Sequence, residues 1–286
     1  GQPTSVPFEA RMVQTTSTRE IALRVLASPL APTLGQPAVL VTLRDIGQLE
    51  DAEQQRRDFV ANVSHEMRSP LTVLSGFIET LQGPAKGDPA ATAQFLSIMQ
   101  REAERMTRLV ADLLSLSRVE SEEKVRPRGL VSLSEVVAAT LAALRPQIEE
   151  AGLRVDLADR SGGVMIPGDR DQLVQVLHNL VENALKYGAS GGRIEITLDP
   201  AERSPGIAGP AIVVTVRDFG EGIDALHLPR LTERFYRVDG HRSRAMGGTG
   251  LGLAIVKHII NRHRGRLGIR SGRGQGSSFT VALPVA

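Results

Sequence analysis

Two groups of residues in this 286-residue chain combine types and spacings that chemistry would need. The first is "SHEMRSPL", where His65 and Glu66 are adjacent, Ser69 follows four residues after the histidine, and Pro70 comes next. An imidazole is a nucleophile or a proton carrier near neutral pH, and a neighbouring carboxylate can take its proton. On a helix the i, i+4 spacing puts Ser69 on the face of His65, while Pro70 removes a backbone donor and is expected to bend the helix just below. The ordinary alternative is an exposed histidine on a solvated helix.

The second group is scattered over three blocks downstream. In "HNLVENALKYG" the carboxamides Asn179 and Asn183 stand one turn apart, with Lys186 and Tyr187 a further turn on. Amide oxygens at that spacing suit Mg²⁺ while contacting phosphate, and Lys186 can neutralise phosphate charge. In "AIVVTVRDFGEGI" an apolar run ends at Asp218, whose carboxylate can accept an exocyclic amine such as adenine's, and Gly220 and Gly222 let backbone approach a ring or phosphate. In "MGGTGLGLAIVKHI" Gly247, Gly248, Gly250 and Gly252 precede a helix, an arrangement that exposes backbone N–H groups to an anion. No G-K-[ST] ending follows, so this is not a P-loop. "ERFYRVDGHRSRAM" adds Arg234, Arg237, Arg242 and Arg244 on what reads as a lid near the phosphates. Each block alone also fits a solvated helix face, a strand-end turn, or a flexible or basic loop.

Three regions must position these residues. Residues 1 to 47 contain "REIALRVLASPL" and "QPAVLVTLRDI", apolar runs around an "APTLG" turn that predict an antiparallel strand pair, the end of a larger domain. From 48 to 123 the period becomes helical. Val60, Val63, Met67, Leu71, Leu74, Ile78 and Leu81 form one seam. Phe95, Met99, Glu102, Met106, Leu109, Leu113 and Leu116 form a heptad seam with one polar member. "GPAKGDPA" between them forces a turn. A hairpin with one seam per helix buries more when paired with a second copy, so a homodimeric four-helix bundle is expected. Residues 124 to 286 alternate helices and strands and predict a separate α/β domain, in which "DPAERSPGIAGPA" forms a hairpin loop. The fold class expected is therefore α+β and multidomain.

Composition narrows the classes. Hydrophobic residues make up 41% and charged residues 23%, as in a soluble globular protein. The absence of cysteine excludes disulfides, thiolate metal sites and cysteine nucleophiles, and fits a reducing, cytoplasmic setting. The net charge of +2 and few aromatics argue against nucleic acid as a partner. No run approaches the apolar length of a membrane span, so no direct membrane contact is expected here. Because the chain starts without methionine, a preceding membrane part is an open expectation.

The order of blocks resembles the bacterial sensor histidine kinases. "SHEMRSPL" is similar to their H box, "HNLVENALKY" to the N box, "DFGEGI" to the G1 box, "ERFYRVD" to the F box and "GGTGLGLAI" to the G2 box, over residues 45 to 286. The flavour of "LVTLRDIGQLEDAEQQRRDFVANVSHE" resembles the phosphate-regulon subgroup, in which a PAS domain precedes the H box. The resemblance implies a GHKL α/β-sandwich domain that binds Mg²⁺ and ATP. It places Asn179, Asn183, Lys186, Tyr187, Asp218, Gly220, Gly222, Arg237, Gly248, Thr249, Gly250, Leu251 and Gly252 on the nucleotide, with Asn183 and Asn179 on the metal. It implies that His65 takes the γ-phosphoryl group with Glu66 as base and passes it to an aspartate of a response regulator. It also implies that Ser69, where the family more often has threonine, orients the water that dephosphorylates the regulator. Two rivals are an ATPase of the gyrase, chaperone or mismatch-repair kind, which lacks a histidine-bearing hairpin, and an ATP-binding scaffold without catalysis.

Overall fold

The computed structural model describes residues 8–16, 19–33, 36–240 and 246–285. The chain divides into two compact units, Gly1–Leu71 and Thr72–Ala286, each taken by itself. In the first, β1 (Phe8–Thr16), β2 (Arg19–Thr33) and β3 (Gln36–Asp45) form an antiparallel meander, with Val25 opposite Leu43 across β2 and β3. The expected strand pair is β2 and β3. β1 is an addition, because "FEARMVQTT" mixes charged and apolar residues without an alternation that announces a strand.

Helix α1 (Gly47–Gln82) starts where Asp45 Oδ1 accepts the Gly47 N–H at 2.9 Å, a local carboxylate bond that turns strand into helix. Its Gln, Glu, Arg, Ala and Leu content favours helix, and the helix runs on through Pro70. Helix α2 (Pro89–Glu122) opens with matched signals. Gly87 turns the chain at φ +86°, Asp88 Oδ1 accepts the N–H groups of Ala90 and Ala91, and Pro89 fills the first helical position. The rings of Phe77 and Phe95 stack at 4.8 Å across the turn.

The two seams have different fates. On α1, Val60, Leu71 and Ile78 are exposed in the single chain. On α2, Leu109, Leu116 and Val119 are buried, and the C-terminal half of the helix packs on a helix of the α/β domain. The heptad therefore serves two partners in succession, which the repeat alone did not separate.

The α/β domain carries a five-stranded sheet in the order β5-β7-β8-β10-β9: β5 (Arg154–Asp159), β7 (Arg193–Ala201), β8 (Ala211–Asp218), β10 (Ser277–Pro284) and β9 (Arg266–Ser271). β5 runs parallel to β7 and every other pairing is antiparallel. Helices α3 (Leu133–Glu150), α4 (Arg170–Gly188) and α5 (Gly252–Arg262) complete it, α4 packing on the central strands. Leu173, Val176, Leu177, Leu180, Val181 and Ala184 of α4 meet Ile194, Ile196 and Leu198 of β7 and Val214 and Val216 of β8 in one core. Removing one such buried leucine costs about 2–5 kcal/mol. A small pair, β4 (Leu130–Ser132) with β6 (Met165–Pro167), went unread because three residues carry no period.

Candidate functional site

The α/β domain holds a cavity of about 680 Å³. Helix α4 supplies one wall because its apolar stripe faces the sheet and turns Asn179, Asn183 and Lys186 the other way. Asn179 Nδ2 donates to the Gln175 carbonyl at 2.9 Å, which fixes the amide and leaves Oδ1 toward α5. A Cβ on Gly252 would sit 2.6 Å from that oxygen, so a glycine is needed at the start of α5. Lys186 Nζ pairs with Glu182 at 2.9 Å, so part of its charge is already balanced within the helix.

Asp218 ends β8 at the cavity floor and is 3% exposed. Its Oδ1 accepts the N–H groups of Gly220 at 3.0 Å and Ser277 at 3.2 Å, the second because the β8–β10 register sets Ser277 directly opposite. Burial pushes its carboxyl pKa up, and these donors pull part of the way back. The glycines around it answer to the protein's own backbone. A Cβ at Gly220 would overlap the Tyr187 carbonyl, and one at Gly222, held at φ +71°, would overlap the Gly272 carbonyl. Gly222 lines the cavity, whereas Gly220 supports Asp218 from behind. Close packing on the Tyr187 carbonyl is by itself a sufficient reason for a glycine at position 220.

The third wall joins the F and G2 segments. Phe235 N–H donates to the Gly250 carbonyl at 2.8 Å with Phe235 at φ +64°, and Arg237 Nη2 donates to the Gly248 carbonyl at 2.9 Å. Gly247, Gly248, Thr249, Gly250, Gly252 and Leu253 face the cavity at the N-terminus of α5, where open N–H groups and the helix dipole favour an anion. Leu251 is the exception: its side chain is fully buried, so it anchors the loop in the core. Tyr187 and Arg237 line the cavity as expected, and Arg242 and Arg244 lie outside the described residues.

The histidine expected to act as acceptor stands on α1. His65 and Ser69 are exposed and Glu66 is half-buried, which agrees with an outward-facing histidine and hydroxyl.

Two family models match: the His Kinase A (phospho-acceptor) domain over residues 55–122, and the histidine kinase-, DNA gyrase B-, and HSP90-like ATPase over residues 168–286. The phosphate regulon sensor protein PhoR of Pseudomonas aeruginosa is 43% identical over 245 residues, 84% of this chain and 53% of that protein. The sensor protein kinase WalK of Staphylococcus aureus is 35% identical over 86% of this chain and 57% of its own length. The Acinetobacter baumannii histidine kinase AdeS superposes with a TM-score of 0.58 at 26% identity, over 77% of this chain and 98% of that structure. The chain belongs to the sensor histidine kinases. It spans about half the length of the curated relatives it matches.

Within this histidine kinase chain, sequence reasoning missed what α2 gives the cavity. Arg108, Ala111 and Asp112 line it, and Thr249 Oγ1 donates to Asp112 Oδ2 at 2.6 Å. Burial raises the Asp112 carboxyl pKa, and the Thr249 bond partly offsets this. Further along α2, Ser115 and Gln175 bond at 2.8–3.0 Å, Arg234 meets Glu120 at 2.7 Å, and His258 Nδ1 meets Glu123 Oε2 at 2.7 Å. Arg262 bridges Glu122 and Asp169 at 3.0 and 3.4 Å. The available signal was a second stripe on α2, residues 108, 111, 112 and 115, at helical spacing beside the heptad seam.

For Mg²⁺, the residues present fit. Asn179 offers an oriented amide oxygen, Asn183 lines the same cavity, and among the described residues no group of three His, Cys, Asp or Glu forms a metal cage. Two amide oxygens completed by phosphate and water oxygens are what Mg²⁺ accepts.

Proposed function

We propose that this chain is the cytoplasmic catalytic portion of a two-component sensor kinase, dividing into a PAS-like end (1–47), a dimerisation and phosphoacceptor hairpin (48–123) and an ATP-binding domain (124–286). The observation that carries this reading is the convergence of Asp218, Asn179, Asn183 and the G2 glycines on one cavity, in a chain that also displays His65 outward on α1. Asp218 would accept the adenine amine, and the α5 N-terminus with Arg237 would hold phosphate. Asn183 and Asn179 would hold Mg²⁺, which when bound neutralises phosphate charge.

Phosphoryl transfer then needs mostly positioning and charge neutralisation. An imidazole nitrogen of His65 forms the new bond to the γ-phosphorus as the bond to the ADP oxygen breaks, and Glu66 takes the imidazole proton. The phosphoryl group passes to an aspartate of a response regulator. Ser69, on the same face, orients the water for the reverse output, dephosphorylation of that regulator. The exposed Val60, Leu71 and Ile78 support a homodimer through the α1 seam. Phosphate responsiveness follows the likeness to the phosphate regulon sensor protein, and a membrane anchor in the whole protein belongs to the same proposal.

Incubation with Mg²⁺ and γ-labelled ATP tests this. The wild type should carry acid-labile, base-stable label that His65→Gln lacks; acid-stable label, or label retained in the variant, would refute the phosphohistidine. Ser69→Ala should impair regulator dephosphorylation far more than autophosphorylation, and equal loss of both would make Ser69 structural.

A further inference from the structure

The α2 wall of the cavity is chemically odd for a nucleotide site. A phosphate end gathers N–H groups and cations, yet here the hydroxyl of Thr249, central in the G2 loop, donates to a carboxylate from a different domain. Asp112 shares the cavity with Glu182 and Lys186, and those two already neutralise each other at 2.9 Å. Arg108, one turn before Asp112, is the basic group on the same stripe, and its guanidinium lies against Gly247. A Cβ at Gly247 would come within 2.7 Å of Arg108 Nη2, so the loop is in close contact with α2. The same helix continues outward into polar contacts with the α/β domain: Ser115 with Gln175, Glu120 with Arg234, and Glu123 with His258 and Asn261.

We propose that Asp112 and the phosphates of the nucleotide compete for Thr249 and the G2 loop, so that seating of the α/β domain on α2 and binding of a nucleoside triphosphate oppose each other. This rests on the nucleotide reading above and assigns Asp112 as the residue that sets triphosphate affinity. When phosphate oxygens take the Thr249 hydroxyl, Asp112 loses its hydrogen-bond donor and is left beside added negative charge. That cost is relieved only if α2 moves away. Coupling of two equilibria is reciprocal: whatever loosens the α2 contacts tightens the triphosphate, and the triphosphate loosens the contacts. The kinase would then release its nucleotide domain from α2 when loaded and rest it there when empty.

The test is titration of the full chain, with Mg²⁺, by a non-hydrolysable ATP analogue, ADP and adenosine. Asp112→Asn keeps the shape and removes the charge. It should tighten the triphosphate on the order of tenfold, ADP less, and adenosine not at all, because the repulsion scales with phosphate charge. Glu123→Gln weakens the seat outside the cavity and should also tighten the triphosphate, by less. Thermal melts of both variants near the wild-type value establish that they fold. Unchanged triphosphate affinity in Asp112→Asn, or an equal shift for adenosine, would overturn the competition. No effect from Glu123→Gln would overturn its coupling to docking. Failure of every form to bind the triphosphate would remove the nucleotide reading and this proposal with it, a result distinct from equal binding by all.

Discussion

The acceptor helix and the nucleotide cavity are built on opposite terms. His65 stands exposed on a helix whose seam is partly uncovered, whereas Asp218 is 3% exposed and wedged among glycines: an added methyl at Gly220 or Gly276 would strike backbone, and one at Gly188 would strike Asp218 itself. The difference follows from what each must do. On the proposed function, His65 receives a phosphoryl group from one protein surface and gives it to another, and a group with that task has to be reached from outside, held by a helix and little else. On the same proposal, the cavity reads adenine and orients phosphate, and a site with that task has to be fixed and largely dry before its ligand arrives, held by register, buried bonds and close backbone approach.

Glycine substitutions break this comparison most sharply. Gly276 sits at φ +73° with the Asp218 carbonyl where a Cβ would go. Gly276→Ala should destabilise the α/β domain by about 3 kcal/mol or more, seen as a large fall in melting temperature. Next comes the cavity's chemistry. Asn183→Ala should lower affinity for Mg²⁺ with ATP by about 100-fold while the melting temperature stays the same, because the proposed metal ligand is removed and no core is touched. Retained affinity in a titration would remove the metal assignment.

A smaller effect distinguishes the rigid region by pH. His263 is fully buried at the end of α5, its Nδ1–H donating to the Ile259 carbonyl at 2.8 Å and its Nε2 accepting the Asp169 N–H at 2.9 Å. Acceptance by Nε2 requires the neutral ring, since a protonated one would point a second N–H at the Asp169 donor, and burial first of all holds its pKa below the ordinary 6.5. The unfolded chain therefore takes up a proton that the folded chain refuses. Stability is full above about pH 6.5 and falls by up to about 1.4 kcal/mol per pH unit as pH drops from there toward the folded pKa. Denaturant melts at pH 7.5 and 5.5 should show that loss, and His263→Gln should be less sensitive to acid. The smallest effect belongs to the open region. Gly76 on α1 has nothing within 4 Å of a built Cβ, so Gly76→Ala should stabilise by about 0.5–1 kcal/mol, opposite in sign to Gly276→Ala.

What could be read from sequence tracks the same division. The α1 stripe, the α4 face carrying Asn179 and Asn183, and Asp218 at the end of an apolar strand are local patterns, and local patterns are visible in one dimension. The contribution of α2 was not. Asp112 and Thr249 are 137 residues apart, and no periodicity says that a polar stripe on one helix meets a glycine loop in another domain. The glycines were visible, but their packing role was not, since a small residue needed by the protein's own backbone looks the same as one needed by a ligand. Lys186 looked like an uncommitted cation because its partner Glu182 is one turn away on a face that apolar periodicity does not describe.

The most direct test of the central claim measures both regions in one preparation: nucleotide affinity and transfer of the γ-phosphoryl group, in the wild type and in His65→Gln. The account predicts unchanged affinity for Mg²⁺ with ATP and complete loss of transferred label in the variant. A variant that still accepts label, or that loses nucleotide binding along with it, would contradict the separation of an exposed acceptor from a preformed cavity.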